Sequence, residues 1–261
     1  MTVSFDFTNK KVLISGGSKG IGRKIAESFF LAGADVAIVA RDSQELKDTK
    51  CTLRIPCNLS GPNITEEVFD SIERSFGALD ILVNNVGGAI QFGNFFELEE
   101  TDWQNAFDLN VMSMVRLSKA AVPFLRNSST PRIINISSIS GVEPGYYNPH
   151  YTTTKAATIN FSKHLANLLA SEGILVNCVC PGSIQSDAWR QCVSKISEKK
   201  RLNYEIVEHE FLTSEIKKIP LKRIGQVEDI APLVLFLASE QASWITGSSF
   251  HIDGGKKKCM I

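Results

Sequence analysis

Seven short apolar runs recur along the chain, at residues 11–15 (KVLIS), 35–40 (DVAIVA), 52–57 (TLRIPC), 79–83 (LDILV), 133–137 (IINIS), 174–179 (ILVNCV) and 248–252 (SSFHI). They are too short for helices and read as strands. Between them lie stretches with apolar residues three and four apart, the spacing of a helix with one buried face: from the glycines near residue 20 to about residue 32, then 64–76, 101–125, 151–170 and 227–238. The connection at 43–50 is close to the shortest that can cross between parallel strands, so a stunted helix is expected there. Alternation of strand and helix predicts an α/β fold, a Rossmann-like doubly wound parallel sheet flanked by helices. Residues 183–218 break the rhythm with mixed charge and with Trp189, Tyr204 and Phe211 spaced through them. They predict short helices forming a mobile lid at the ligand edge of the sheet, with rings that line a pocket or only pack the lid onto the body.

At 261 residues and 43% apolar content the chain can bury a large core, and one domain spanning 1–261 is expected. Its 28 basic and 28 acidic residues cancel. No global field favours nucleic acid or an anionic membrane, and a small-molecule partner is indicated. The N-terminal segment lacks the apolar run of a signal peptide, and no stretch approaches the roughly 18 apolar residues of a membrane span. Six cysteines without a disulfide-like framework suggest reduced thiols in a cytoplasmic compartment. Cys178 and Cys180 would share one face of a strand, and without a second ligand pair at zinc-like spacing they read as core thiols, with no metal expected. The basic segment 256–261 (KKKCMI) reads as a frayed tail; Cys259 is third from its end, where a prenylation box needs it fourth.

Candidate chemistry begins after the first strand, at Gly16-Gly17-Ser18-Lys19-Gly20-Ile21-Gly22. Strand, glycine turn and helix in that order form a diphosphate cradle: glycine permits positive φ and close backbone approach, and the N–H groups of the helix start bind the charge. The second strand ends at Arg41 rather than at an acidic residue. A carboxylate there would bond both ribose hydroxyls and repel a 2′-phosphate, whereas Arg41, helped by Lys19, can pair with that phosphate; this favours NADP(H) over NAD(H), although Asp42 tempers the local charge. Asn84-Asn85-Val86-Gly87-Gly88 follows the fourth strand and is a second turn where backbone can come close to a ligand. Asn110 stands inside a helical pattern, where it can bond backbone or water and distort the helix.

Ser138 lies just past the fifth strand, at the carboxyl end where such sheets bind ligands, and its hydroxyl can hold a substrate oxygen. Tyr151 and Lys155 are four residues apart, which on a helix stacks them on one face. A free phenol titrates at about 10. The adjacent ammonium is expected to lower that value and make Tyr151 a usable proton donor and acceptor. Tyr146 and Tyr147, just upstream, and Trp189 are candidate substrate contacts.

With the glycine turn, the Asn84-Asn85-Val86-Gly87 turn, Asn110, Ser138, Tyr151-x-x-x-Lys155 and Pro181-Gly182 in one order, the chain resembles the short-chain dehydrogenase/reductase family from about residue 7 to 255, in its 3-oxoacyl reductase or ketoreductase form. The resemblance implies that Ser138 and Tyr151 hydrogen-bond a substrate carbonyl, that NADPH gives hydride to its carbon and that Tyr151 protonates its oxygen. Lys155 would hold the nicotinamide ribose, Asn110 would anchor a proton-relaying water, Ile184 and Ser186 would meet the carboxamide, and Asn58 and Leu59 the adenine. Three positions depart from the family pattern: Asn58 for aspartate, Val86 for alanine and Ser186 for threonine. The resemblance also implies a homotetramer or homodimer built through residues 101–125 and 151–170. A dinucleotide-binding protein of the same fold without turnover is the alternative.

Overall fold

A computed structural model describes residues 5–41, 43–61 and 64–259 of the chain. Asp42, invoked above for its charge, and Met260 and Ile261 of the basic tail lie outside the described residues. In chain order the elements are β1 (Lys11–Ser15), α1 (Gly20–Leu31), β2 (Asp35–Ala40), α2 (Ser43–Lys47), β3 (Leu53–Pro56), α3 (Thr65–Phe76), β4 (Ile81–Asn84), α4 (Glu100–Phe107), α5 (Ser113–Leu125), β5 (Arg132–Ile136), α6 (Pro149–Leu169), β6 (Leu175–Pro181), β7 (Ile184–Gln185), α7 (Asp187–Lys200), α8 (Tyr204–Lys218), β8 (Gly225–Gln226), α9 (Val227–Ala238) and β9 (Ser249–Ile252).

The central sheet is parallel, in the order β3-β2-β1-β4-β5-β6-β9; β7 and β8 form a separate two-residue pair. Its inner strands are buried on both faces, and successive residues divide between two cores. Val12, Ile14, Val36 and Ile38 pack with Ile25 and Phe29 of α1 and with Ile230 and Val234 of α9. Leu13, Ala37 and Val39 pack with Val68 and Ile72 of α3, Leu117 and Ala121 of α5 and Leu165 of α6. The period-two alternation of a strand thus sorts one apolar run onto two helical layers. The order reverses between β1 and β4, and the crevice beyond their carboxyl ends is where open sheets of this kind take ligands.

Departures from the expected boundaries have local causes. The fourth strand begins at Ile81 because Asp80 spends its carboxylate on the Lys11 backbone N–H, at 2.8 Å. The expected helix 101–125 is two helices, α4 and α5, joined by a π-helical turn at Asp108–Met112. Pro123 sits in the last turn of α5, which stops at Leu125. The break in rhythm at 183–218 is not a set of short helices but a hairpin of two long ones, 14 and 15 residues. Arg201 in the left-handed region closes α7, and the Asn203 side chain caps α8. Trp189, Val193, Val207, Ile219 and Ile224 form the hairpin's own small core.

The tail also differs from expectation. Rather than fraying, residues 256–258 are tied down: the Lys257 N–H donates to Asp253 Oδ2 at 2.8 Å and the Lys258 N–H to Glu143 Oε2 at 3.1 Å. Cys178 and Cys180 are buried free thiols with their sulfurs 3.9 Å apart on one face of β6. Among the described residues no helix is long and apolar enough to cross a membrane.

Candidate active site

The turn from β1 into α1 is backbone-lined by necessity. Gly16 (φ 68°) and Gly20 (φ 56°) adopt left-handed conformations that side chains resist, and a Cβ on Gly22 would stand 2.2 Å from the Gly16 carbonyl oxygen. Ser18, Lys19 and Ile21 complete the turn, and Lys19 in extended conformation precedes the helix. Asn85 braces the turn rather than pointing away from it: its Nδ2 donates to the Ser15 and Gly16 carbonyls, each at 3.1 Å. The Ser15 hydroxyl in turn accepts the Asn85 and Val86 N–H groups at 3.0 and 3.1 Å. Sequence spacing missed two carboxylates here. Glu45 of α2 pairs with Lys19 at 3.0 Å and accepts from Ser18 Oγ at 3.2 Å. Asp187, the first residue of α7, accepts the Gly20 N–H at 3.0 Å and Arg190 at 2.7 Å. The one available signal was local: an acidic residue directly after Ser186 at a helix start.

Arg41 is exposed just beyond β2. Asn58 is exposed beyond β3 with its Oδ1 taking the Ser60 N–H at 3.3 Å, while the Leu59 side chain belongs to the core, so adenine could meet only its backbone. Ile184 is buried in β7 and Ser186 is half-buried at the start of α7, facing the glycine turn: Ser186 Cβ is 3.7 Å from where a Gly20 Cβ would lie.

The second half of the site is assembled on β5 and α6. Asn148, in the left-handed region, and Pro149 start α6, and Asn148 exchanges two hydrogen bonds with Gly93, at 2.8 and 3.2 Å, tying the loop after β4 to the loop before α6. Tyr151 is half-buried in the first turn of α6, with the Ser138 hydroxyl near enough to its phenol to favour the ionised form. Ser138 Oγ also accepts the Ser140 N–H at 3.1 Å, which fixes the turn. That turn lies directly on α6: a Cβ on Gly141 would be 2.6 Å from the Lys155 carbonyl carbon. Lys155 is buried at 4% exposure, its Nζ 5.7 Å from the Tyr151 ring centroid and donating to the Ile136 carbonyl at 2.9 Å.

Asn110 is buried in the π-helical turn. Its Nδ2 donates to the Ala106 and Gly88 carbonyls at 2.9 and 3.2 Å, and its Oδ1 accepts the Gly88 N–H at 2.8 Å. Gly87 brings the two halves together, since a Cβ there would lie 2.6 Å from Asn110 Oδ1 and 3.0 Å from Lys155 Nζ. Asn110, Ser138, Tyr151 and Lys155, scattered over 46 positions of sequence, thus meet at the strand ends.

Electrostatics corrects one expectation. Burial pushes the Tyr151 phenol up, and the Ser138 hydroxyl only partly offsets this. The Lys155 ammonium, turned to the Ile136 carbonyl, does not acidify it; burial lowers Lys155 itself to about 8. A phenol held protonated suits a proton donor, the direction needed to reduce a carbonyl. Two aromatic expectations divide differently. Tyr146 and Tyr147 are exposed, in the loop leading into α6. Trp189 is corrected as a substrate contact: its ring is buried, stacked on Phe211 at 4.6 Å inside the hairpin, because a large apolar ring between two helices is worth more there than at a wet mouth. The hairpin meets the loop after β4 through Lys195 Nζ, which donates to the Ile90 carbonyl at 2.6 Å, and through Lys199 and Glu97 at 3.1 Å.

A family model described as enoyl-(acyl carrier protein) reductase matches residues 16–257. The 3-oxoacyl-[acyl-carrier-protein] reductase FabG of Salmonella typhimurium is 34% identical over 254 residues, 95% of this chain and 98% of the relative. Among solved structures, L-sorbose reductase of Gluconobacter frateurii, in complex with NADPH and L-sorbose, superposes with a TM-score of 0.89 at 32% identity, covering 99% of this chain and 100% of that one. Aldohexose dehydrogenase of Thermoplasma acidophilum, ligand-free, gives 0.88 at 28% identity over 98% and 97% of the two chains.

Proposed function

Because the chain belongs to the short-chain dehydrogenase/reductase family and is an oxidoreductase, we propose that it reduces a ketone with NADPH, Tyr151 supplying the proton. The carrying observation is the convergence on Gly87 of Asn110 and the buried Lys155, with the Tyr151 ring 5.7 Å from the Lys155 ammonium.

The residues present fit a dinucleotide: the cradle at Gly16–Gly22 admits backbone contact where a Cβ would collide. The α1 start would take the diphosphate, Arg41 the 2′-phosphate, the strip at Asn58 and Leu59 the adenine, and Gly87, Lys155, Ile184 and Ser186 the nicotinamide half. Bound there, the cofactor supplies the hydride. Lys19 is not lost to Glu45, since an ion pair between side chains about 40% exposed is worth at most about 1 kcal/mol and yields to a phosphate. Ser138 and Tyr151 orient the carbonyl, and the protonated phenol donates to its oxygen as charge develops. Asn110, bonded to both sides of Gly88, fixes the turn that carries Gly87 and so the floor under Lys155.

Substrate class follows from the rim. Ile90, Phe95, Phe96, Tyr146 and Tyr147 are exposed on the two loops that Asn148 and Gly93 tie together. An apolar rim suits a ketone with an apolar body, such as a 3-oxoacyl chain or a cyclic or polyketide-like compound, over a polyol. Assembly as a homotetramer or homodimer through α4, α5 and α6 belongs to the same reading, with exposed Met112 and Leu168 on those segments.

The test is NADPH oxidation against a panel of carbonyl compounds, with Tyr151→Phe as control. Loss of a general acid costs about a hundred- to ten-thousand-fold, and equal rates in the two proteins would discard the proposal. Arg41→Ala should weaken NADPH and leave NADH nearly untouched.

A further inference from the structure

We propose that Lys256, beyond the last strand, is a positioning residue for the dinucleotide site: its ammonium locks the segment 183–187 to the helical hairpin. This rests on the cofactor reading above. Residues 183–187 join β6 to α7 and carry Ile184, Ser186 and Asp187, the last two facing Gly20. Ser183 opens the segment, and two charged side chains converge on it. Its Oγ donates to Glu215 Oε2 at 2.6 Å and meets Lys256 Nζ at 2.8 Å, while Lys256 Nζ also reaches Glu215 Oε2 at 2.5 Å. Lys218 takes the other carboxylate oxygen at 2.6 Å.

Glu215 is 6% exposed, which pushes its pKa up; the three donors outweigh this and hold it ionised, with a pKa of about 2. Lys256 is delivered by a bend. Gly254 and Gly255 both take left-handed conformations, and a Cβ on Gly255 would stand 3.0 Å from Pro220 Cγ. Lys218 cannot replace it, because Lys218 lies on α8 with Glu215 and its side chain is 55% exposed. Among the described residues Lys256 is the one cation that touches both Ser183 and Glu215 of the hairpin.

Removing one partner of a buried pair leaves an uncompensated charge, whereas removing both is close to neutral. Without Lys256 the carboxylate keeps only Lys218 as a cation, on the exposed side, and it turns toward that ammonium and water by leaving Ser183. The segment carrying Ile184 and Ser186 then loses its hold on one side.

The test uses the full chain as Lys256→Met, Lys256→Arg and the double variant Glu215→Gln/Lys256→Met, with NADPH titrated by calorimetry and amide hydrogen exchange followed with and without nucleotide. Lys256→Met should weaken NADPH by about two- to thirty-fold and speed exchange at 183–187 and 204–218. Lys256→Arg should keep wild-type affinity, and the double variant should recover most of the loss, which a purely additive structural defect would not. Unchanged NADPH affinity in Lys256→Met, faster exchange confined to residues after 253, or a double variant as weak as the single would each overturn the assignment. A wild-type chain that binds no NADPH would instead remove the cofactor reading, and exchange without nucleotide would still decide whether Lys256 holds residues 183–187.

Discussion

Lys155→Met separates what the site needs from what the fold prefers. The ammonium is buried and titrates at about 8 rather than at 10.5. Carrying that charge in the folded state therefore costs about 3 kcal/mol at neutral pH. Methionine fills a similar volume without the charge, and gives up one hydrogen bond to the Ile136 carbonyl, worth about 1 to 3 kcal/mol. Below pH 8 both folded and unfolded wild-type chains are protonated here, and the cost is present in full. Between about 8 and 10.5 the unfolded chain holds the extra proton, so wild-type stability rises with pH through this group. The variant has no such group. Urea unfolding at pH 7 should show Lys155→Met at least as stable as wild type, by up to about 2 kcal/mol. By pH 9.5 the wild type should have recovered about 2 kcal/mol relative to the variant, and at both pH values the variant should be close to inactive. A stability difference that does not move between pH 7 and 9.5 would refute the claim that burial, uncompensated, sets the state of Lys155.

Two further outcomes test the geometry. Gly87→Ala strains a backbone at φ 158° and places a Cβ against Asn110 Oδ1, itself held by three hydrogen bonds, and Lys155 Nζ; the variant should lose stability in urea, and kcat should fall at least ten-fold, about 1.4 kcal/mol, as steady-state kinetics would show. Asp187→Asn removes a carboxylate from the N–H of Gly20, which the diphosphate is expected to use; NADPH should bind severalfold tighter by fluorescence titration, and weaker binding would mean that Asp187 supports the turn instead.

Much of this was legible because the signals were local. Apolar runs of strand length, glycines at fixed offsets and a Tyr-x-x-x-Lys pair each depend on neighbours within a turn or two, and β1, α1 and the start of α6 follow them closely. What spacing could not convey is solvation. Four residues of helix bring Lys155 beside Tyr151, but burial decides both titrations and the Ile136 carbonyl decides where the ammonium points. Nor does spacing choose between packing and display: Trp189 and Tyr147 are both aromatic residues near the site, and a facing Phe211 buries only the first. Contacts across long separations, such as Gly20 with Asp187 or Ser183 with Lys256, leave no trace in a single sequence.

The widened turn at Asp108–Met112 has a consequence for any attempt to regularise this protein. It amounts to one residue more than an uninterrupted helix would hold. Deleting a single residue there would let α4 and α5 fuse into one regular helix with their faces nearly in register, because the wide turn already absorbs the extra residue. Leu117, Ala121 and Leu125 would keep their places under the sheet, while Asn110, which the wide turn carries, would be drawn off Gly88. A redesign that idealised this helix would gain regularity and lose the floor beneath the ammonium.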